Sequence, residues 1–317
     1  MRATVNTSHA TRPSIFVSSS RFERASLDGA LPASSNLQVV YNDSGKRLSE
    51  DQLIAHRPSR CVGIIAGLEP LSRRVLEQYP DLKVIARLGT GMDTVDLSAA
   101  EERGIAVVGT PDATTNAVAE LTLGLMIAAL RGIATADRGI RSGSWTQVQG
   151  GLIKGRVVGI VGFGRIGRRV AELAEAFGAR VVYYDPFTVG DDPRCCRTLD
   201  GLLDTSDIVT LHSPLNDDTR GLIGKAELQR LREGGLVVNV ARGGLVDESA
   251  LVESVKSGRL SAAIDCFADE PYTGPLRELD GVVLTSHMGS LTAETRQEME
   301  VSAVRSVVAE LRKHGVL

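Results

Sequence analysis

A glycine-rich turn is the clearest chemical signal in the chain. Gly162, Gly164 and Gly167 have the spacing G-x-G-x-x-G, with a strand-like run before them and a helix-like run after them, and the next strand-like run ends in Asp185. In this setting the first glycine permits the tight turn, the second lets a diphosphate approach the backbone, and the third lets the helix pack closely on the strand. Asp185 is placed to accept hydrogen bonds from ribose hydroxyls and to repel a 2′-phosphate. The pattern therefore predicts an NAD site, with contacts from Gly162, Phe163, Gly164, Arg165, Ile166, Gly167 and Asp185.

Three ionisable side chains of different chemistry follow later strand-like runs: Arg242, Glu270 and His287. Ligands of open α/β sheets bind beyond the carboxyl ends of the strands, so we expect these three side chains to converge there. Hydride transfer to a carbonyl group builds negative charge on its oxygen, which requires a proton donor and a nearby positive charge. His287 can supply the proton and Arg242 the charge. Glu270 can fix the histidine tautomer and stabilise the imidazolium.

The elements that must position these residues are short apolar runs separated by helix-like segments. Parallel strands joined by crossover helices have this pattern. The first set of runs covers residues 15–17, 37–40, 62–66, 82–87 and 105–108. The second set starts at Val157 and continues at residues 181–184, 208–211, 236–240, 262–265 and 282–285. Both sets predict an α/β fold with two Rossmann-like, doubly wound parallel sheets.

The length of 317 residues favours two domains with a cleft. Residues 293–314 have helical patterning and no strand after them, so we expect this helix to return to the first domain. The predicted organisation is a discontinuous first domain that begins with residues 1–109, an NAD-binding domain, residues 110–288, and a returning C-terminal helix, residues 289–317.

Composition excludes several function classes. With 36 basic and 39 acidic residues, the chain has no long-range field for nucleic acid or anionic lipid. The longest uninterrupted apolar stretch, residues 121–130, is about half of the roughly 20 residues that a bilayer span needs, so no membrane helix is expected. The four cysteines lack metal-ligand spacing, so no metal site is expected. They also lack C-x-x-C pairing, which favours the reducing cytoplasm. No role is assigned to Cys195 and Cys196.

The motifs together resemble the D-isomer-specific 2-hydroxyacid dehydrogenase family, most closely its phosphoglycerate-dehydrogenase-like branch. The likeness runs from about residue 62 to about residue 293 and includes KVIARLGTGMDTVD at 83–96, LHSPL at 211–215 and VNVARGGLVDE at 238–248. The resemblance implies an intracellular NAD-dependent enzyme that acts on a small D-2-hydroxy acid or 2-oxo acid. It also implies that the discontinuous first domain, residues 1–109 with the C-terminal helix, is the substrate-binding domain. It also implies a homodimer formed largely through the nucleotide domains, with the helix at 117–130 near the interface.

The resemblance also implies roles for individual residues. Arg242 would anchor the substrate carboxylate, Glu270 would pair with the histidine, and His287 would be the acid/base. Leu88 and Gly89 would offer backbone N–H groups to the carboxylate, with Arg87 as a further substrate-binding residue. The remaining cofactor contacts would be His212 and Pro214 near the adenine, Asp265 near the nicotinamide carboxamide, and Thr219, Val240 and Ala241.

The chain departs from the family pattern at three places. Ala66-Gly67 stands where phosphoglycerate dehydrogenases commonly have Arg-Ser, and that arginine helps to bind the substrate phosphate. An unphosphorylated or differently charged acid is therefore favoured. Ser286 replaces the usual proline before the histidine, and the chain ends at Leu317, so feedback through a C-terminal regulatory domain is not expected.

Two other functions remain open at this point. The corepressor branch known as C-terminal binding proteins shares the motifs and keeps the catalytic trio, so an NAD-sensing binding protein is the alternative. A formate dehydrogenase is a third, weaker option, because those enzymes usually pair glutamine with the histidine where this chain has Glu270.

Overall fold

The computed structural model describes residues 12–27, 30–32, 35–145, 147–188 and 192–317. The chain forms two compact units. The first contains the described residues up to Thr114 together with Thr292–Leu317, and the second contains Thr115–Leu291.

The first unit is built on a five-stranded parallel sheet with the order β2-β1-β3-β4-β5. Its strands are β1 (Ser14–Val17), β2 (Gln38–Tyr41), β3 (Cys61–Ala66), β4 (Val84–Arg87) and β5 (Ala106–Val108). The chain runs outward from β1 to β2 and then returns to β3 on the other side. The point where the strand order reverses therefore lies between β1 and β3, a common ligand position in such sheets.

Helices cover both faces of this sheet because alternate strand residues point to opposite sides. On one face, Phe16 and Ile64 pack in a core with residues of the helices between the strands. On the other, Ile15 and Val17 pack against Val304 of the C-terminal helix. The helices of this unit are α1 (Glu50–Ala55), α2 (Arg73–Leu76), α3 (Leu97–Glu102) and the C-terminal α10 (Ala293–Lys313), with a 3-10 turn at Arg24–Leu27.

The second unit is built on a six-stranded parallel sheet with the order β11-β10-β9-β8-β6-β7. Its strands are β6 (Val157–Val161), β7 (Arg180–Tyr184), β8 (Ile208–Leu211), β9 (Gly235–Asn239), β10 (Leu260–Ile264) and β11 (Val282–Leu284). Here the strand order reverses between β6 and β8. The predicted α/β class with two doubly wound parallel sheets is confirmed.

The helices of the second unit enclose two cores, one on each face of the sheet. They are α4 (Pro111–Leu130, which starts in the first unit), α5 (Ile133–Arg141), α6 (Arg165–Ala176), α7 (Leu199–Thr205), α8 (Lys225–Arg230) and α9 (Glu248–Lys256), with a 3-10 turn at Pro275–Glu278. Cys195 packs against one core and Cys196 against the other, so the two thiols face opposite sides and are not placed to form a disulfide with each other.

The unit boundaries fall after Thr114 and Leu291, slightly later than the expected 109 and 288. Hydrogen bonds account for both differences. The hydroxyl of Thr114, in the first turn of α4, lies 2.8 Å from that of Thr90, which ties this turn to the first unit. Gly289 donates its N–H to Asp265 at 3.0 Å, which keeps residue 289 in the second unit.

Helix α4 is longer than its uninterrupted apolar stretch. Its 20 residues reach the length and composition of a membrane span, with a mean hydropathy of 1.4 over the most apolar part of the helix. Half of that apolar part is buried inside the protein. Core helices have the same properties, and Ala119, Leu123 and Met126 pack in the core of the second unit.

Candidate active site

The turn between β6 and α6 requires glycine at its first and third positions. Gly162 has φ of +92°, and a Cβ there would lie 2.8 Å from the backbone carbonyl of His212. A Cβ on Gly167 would lie 2.2 Å from the carbonyl oxygen of Gly162. These contacts hold α6 close to the end of β6 and close to the chain that leaves β8, at the point where the strand order reverses.

The second glycine of the motif faces open space. A Cβ on Gly164 would meet nothing within 4 Å, and Gly164 precedes α6 without a side-chain hydrogen bond to cap the helix. Arg165 is exposed and Ile166 is half-buried. An uncapped helix N-terminus with no side chain in front of it suits an anionic diphosphate, so this turn fits the dinucleotide.

Asp185 follows β7 and contacts the glycine turn directly. Its Oδ2 accepts the N–H of Phe163 at 2.7 Å, and its Oδ1 accepts the N–H of Phe187 at 2.9 Å. The carboxylate is half-buried, and each oxygen has further acceptor capacity. Only the backbone of Phe163 faces this turn, because its ring is buried and stacks on Tyr183 with centroids 3.6 Å apart.

The loop after β8 contacts the end of β6 and the glycine turn. His212 donates its N–H to Val161 at the end of β6, and its Nε2 lies 2.9 Å from the hydroxyl of Thr210. Burial lowers the pKa of His212 to about 3, so its ring is neutral at physiological pH. Thr219 donates its hydroxyl to the carbonyl of Pro214 at 2.7 Å, which closes this loop on itself.

Arg242 lies in the loop after β9. Its guanidinium donates to the carbonyl of Ala241 at 2.7 Å. Val240 is buried and Ala241 is half-buried. Asn239 was not predicted as a site residue, although its side chain bonds to the backbone on both sides of this arginine. A polar amide at the end of an otherwise apolar strand was the available signal.

Gly243 brings this loop against the loop that carries Glu270. A Cβ at position 243 would lie 1.9 Å from the carbonyl carbon of Phe267 and 2.3 Å from the nitrogen of Ala268. No side chain fits at position 243 without moving backbone. Glu248 adds a second connection, because its Oε1 accepts the N–H of Ala268 at 3.1 Å.

Glu270 and His287 form a direct pair. Nδ1 of His287 lies 2.9 Å from Oε2 and 3.0 Å from Oε1 of Glu270, and both side chains are about 30% exposed. Oε1 also accepts the N–H of Phe267 at 3.1 Å, which orients the carboxylate. With Nδ1 held by Glu270, Nε2 is the ring nitrogen left for proton exchange with a substrate.

Asp265 holds the turn that carries His287. Its Oδ1 accepts the hydroxyl of Thr285 at 2.6 Å and the N–H of Met288 at 2.9 Å, and its Oδ2 accepts the N–H of Gly289 at 3.0 Å. Its backbone carbonyl accepts the N–H of His287 at 2.8 Å. His287 has φ of +52°, an uncommon conformation for a non-glycine residue that these bonds stabilise. Asp265 is fully buried, so its direct contact with the nicotinamide carboxamide stays a prediction.

The first unit requires a correction. The N–H groups of Leu88 and Gly89 were expected to be open to a substrate carboxylate. Leu88 instead donates to the carbonyl of Ala66 at 2.8 Å, and Gly89 donates to the hydroxyl of Thr110 at 2.9 Å. Sheet pairing and a side-chain bond therefore use both donors. Arg87 is buried and donates to the carbonyl of Leu88 at 2.6 Å.

Within the described residues, no group of three or more His, Cys, Asp or Glu side chains could hold a metal ion. The residues brought together in the second unit are a guanidinium, a carboxylate–imidazole pair and a glycine turn that fits a dinucleotide. These residue types have the chemistry that hydride transfer between a dinucleotide and a carbonyl group requires.

Comparison with known proteins agrees with this class. Residues 123–289 match the family model "D-isomer specific 2-hydroxyacid dehydrogenase, NAD binding domain". The hydroxypyruvate reductase of Thermotoga maritima is 38% identical over 84% of this chain and 90% of its own length. The D-3-phosphoglycerate dehydrogenase of Methanocaldococcus jannaschii is 37% identical over 83% of this chain, which spans only 51% of that protein. The solved structure of the TT0316 protein from Thermus thermophilus has a TM-score of 0.85 at 34% identity and covers 95% of this chain and 97% of its own.

The chain belongs to the D-isomer-specific 2-hydroxyacid dehydrogenase family. It is an NAD-dependent oxidoreductase that acts on the CH–OH group of a 2-hydroxy acid or on the matching 2-oxo acid.

Proposed function

We propose that the protein interconverts a small, unphosphorylated D-2-hydroxy acid and its 2-oxo acid at Arg242, Glu270 and His287. The observation that carries this proposal is the Glu270–His287 pair, whose loop lies against the loop of Arg242 through Gly243. A proton donor, the carboxylate that stabilises its charged form and a fixed cation are the groups that carbonyl reduction requires.

In the direction of reduction, the guanidinium of Arg242 binds the substrate carboxylate with two hydrogen bonds and stabilises the negative charge that develops on the carbonyl oxygen. His287 donates a proton from Nε2 to that oxygen. Glu270 holds Nδ1 and stabilises the imidazolium before the transfer. In the direction of oxidation, neutral His287 accepts the hydroxyl proton at Nε2.

The nicotinamide cofactor supplies or accepts the hydride when it is bound. The N-terminus of α6 at Gly164 would hold its diphosphate, and Asp185 would accept hydrogen bonds from its adenosine ribose. The negative charge of Asp185 favours NAD over NADP. His212, Pro214 and Thr219 would line the adenine side, and Val240 and Ala241 the nicotinamide side.

Residues 1–109 of the first unit are the part of the chain that would bind and select the substrate. Ala66 and Gly67, at the end of β3, stand where phosphoglycerate dehydrogenases commonly have Arg-Ser, so the arginine that helps to bind a phosphate is missing at position 66. Its absence supports an unphosphorylated or differently charged acid. The chain is similar to a hydroxypyruvate reductase over nearly the whole length of that enzyme, which supports the same class of substrate.

We also propose a homodimer in the cytoplasm. Helix α5 has no buried residue, and Ile133 and Ile140 on it are at least half exposed, as are Trp145 and Leu152 beyond it. A surface with this much exposed apolar area suits a second copy of the chain. Light scattering on the parent should give twice the chain mass, and Ile140→Asp should give a larger monomer fraction. A monomeric parent would contradict the dimer.

A turnover assay tests the activity. NADH oxidation is followed with glyoxylate, pyruvate, hydroxypyruvate and phosphohydroxypyruvate, for the parent and for Arg242→Lys. We expect the parent to prefer an unphosphorylated acid, and the lysine variant to lose most activity because it cannot form the two-pronged contact. If no 2-oxo acid is reduced above background, the protein is an NAD-sensing binding protein. Efficient reduction of the phosphorylated acid alone would overturn the substrate class.

A further inference from the structure

Asn239 is a buried amide at the carboxyl end of β9, where the preceding strand residues are apolar. It is 2% exposed. Its Oδ1 accepts the N–H of Ala241 at 3.1 Å, and its Nδ2 donates to the carbonyl of Arg242 at 2.8 Å. One side chain therefore satisfies the backbone groups on both sides of the Ala241–Arg242 peptide.

The same residue connects this loop to the strand that leads to Glu270 and His287. The backbone carbonyl of Asn239 accepts the N–H of Asp265 at 2.9 Å. Asp265 in turn holds the His287 turn through its own carbonyl and carboxylate. The arginine loop and the histidine turn are thus attached to neighbouring strand ends through Asn239 and Asp265.

We propose that Asn239 is a positioning residue that fixes Arg242 for binding the substrate carboxylate. This inference rests on the proposed function of Arg242. The guanidinium donates to the carbonyl of Ala241, so its direction depends on the backbone that the Asn239 amide holds. Without the amide, the loop keeps the contact at Gly243 but loses both bonds that define the turn around the arginine.

The position requires an acceptor and a donor at once, and asparagine provides both in a short side chain. Alanine removes both bonds. Aspartate keeps the volume and the acceptor for Ala241, and it replaces the donor to the Arg242 carbonyl with an oxygen. These two variants therefore separate loss of volume from loss of the donor.

The test is a double-mutant cycle of Asn239→Ala and Arg242→Ala with the best 2-oxo acid from the panel. In the parent background, Asn239→Ala should lower kcat/KM by on the order of 10- to 100-fold, mainly through KM, because a small misplacement of a binding group has an effect of this size. In the Arg242→Ala background, the same change should alter kcat/KM less than about twofold, because Asn239 acts through an arginine that is no longer present.

Two further measurements separate positioning from a general structural role. The Kd for NADH, from quenching of protein fluorescence, should rise less than the KM for the 2-oxo acid, because the glycine turn and Asp185, which would hold the diphosphate and the ribose, are untouched. The pH at which reductive kcat/KM falls should not move, because Glu270 and His287 keep their bond. If Asn239→Ala does not fold, Asn239→Asp completes the same cycle.

The outcomes are distinguishable. Equal loss of kcat/KM from the Asn239 change in both backgrounds, or an unchanged KM in the parent background, overturns the positioning role. If Arg242→Ala alone leaves kcat/KM near that of the parent, the proposed function of Arg242 fails instead.

Discussion

Both carboxylate oxygens of Glu270 lie within 3.0 Å of a single atom, Nδ1 of His287. Oε1 is also held by the N–H of Phe267, so the carboxylate is oriented from the backbone of its own loop. An imidazole in this contact has its Nδ1 proton directed at the carboxylate, which fixes the tautomer and the orientation of the ring. Replacing the carboxylate should therefore lower the rate of the reaction.

Glu270→Gln keeps the shape of the side chain and removes its charge. Glu270 orients the ring that donates the proton in reduction and accepts it in oxidation, so kcat/KM of the variant should fall by on the order of 10- to 100-fold in both directions. Rates are measured in both directions, and a deuterated cofactor confirms that chemistry limits the rate. Parent-like kcat/KM in the variant would require another partner for the histidine, with Asp269 the nearest candidate.

Gly167→Ala should impair folding, whereas Gly164→Ala should impair NADH binding. A Cβ at 167 would meet the Gly162 carbonyl oxygen at 2.2 Å, so that variant should lose about 3 kcal/mol or more of unfolding free energy. A Cβ at 164 meets nothing within 4 Å, so that variant should fold normally. Its methyl group faces the predicted diphosphate position, and its Kd for NADH should rise roughly tenfold or more, a loss of about 1.4 kcal/mol. Urea unfolding and fluorescence titration check the pair. Parent-like NADH affinity in Gly164→Ala would place the diphosphate elsewhere.

Asp185→Asn tests the preference for NAD. The change removes the charge that would oppose a 2′-phosphate, so the ratio of kcat/KM for NADH to that for NADPH should narrow by roughly tenfold. Asp200→Asn, which removes an exposed carboxylate on α7, serves as the control and should leave the ratio unchanged. A parent enzyme equally efficient with both cofactors would show that Asp185 does not read the ribose.

His212 should make stability depend on pH. Burial lowers its pKa from 6.5 to about 3, so the unfolded chain binds a proton at this residue that the folded chain does not bind. The resulting stability is fully present above pH 6.5 and is lost as the pH falls towards 3, by at most about 1.4 kcal/mol for each pH unit. Urea unfolding between pH 7 and pH 4.5 should show a shallower decline for His212→Gln than for the parent. His314→Gln, at an exposed position, is the control. Parallel declines in all three proteins would contradict the prediction.

Much of the fold could be predicted because its signals are local. In the part of the chain that the structure describes, each of the eleven strands coincides with a short run of Val, Ile, Leu or Ala, since a strand buried on both faces leaves a continuous apolar run. The order of the strands had no such local signal. The position of β6 between β7 and β8 results from tertiary packing, which apolar periodicity does not record.

Site residues could be predicted where the residue type determines their chemical role. They were harder to predict where the role depends on hydrogen bonds that only the folded structure forms. Glu270 and His287 were paired from their chemistry, and the structure places them in contact. The donors of Leu88 and Gly89 were misjudged because their use depends on β3 and on Thr110, which lies far along the chain. The supporting role of Asn239 was missed for the same reason, since it consists of bonds to the backbone.

The position of α10 also sets an order of assembly during synthesis. The second unit is continuous, so its last residue, Leu291, completes it. One face of the first sheet is covered by Met299, Val304, Val307 and Leu311, which the ribosome adds later. A chain that stops at Leu291 therefore contains every residue of the second unit and a first sheet whose apolar face is uncovered, so such a truncated chain should aggregate.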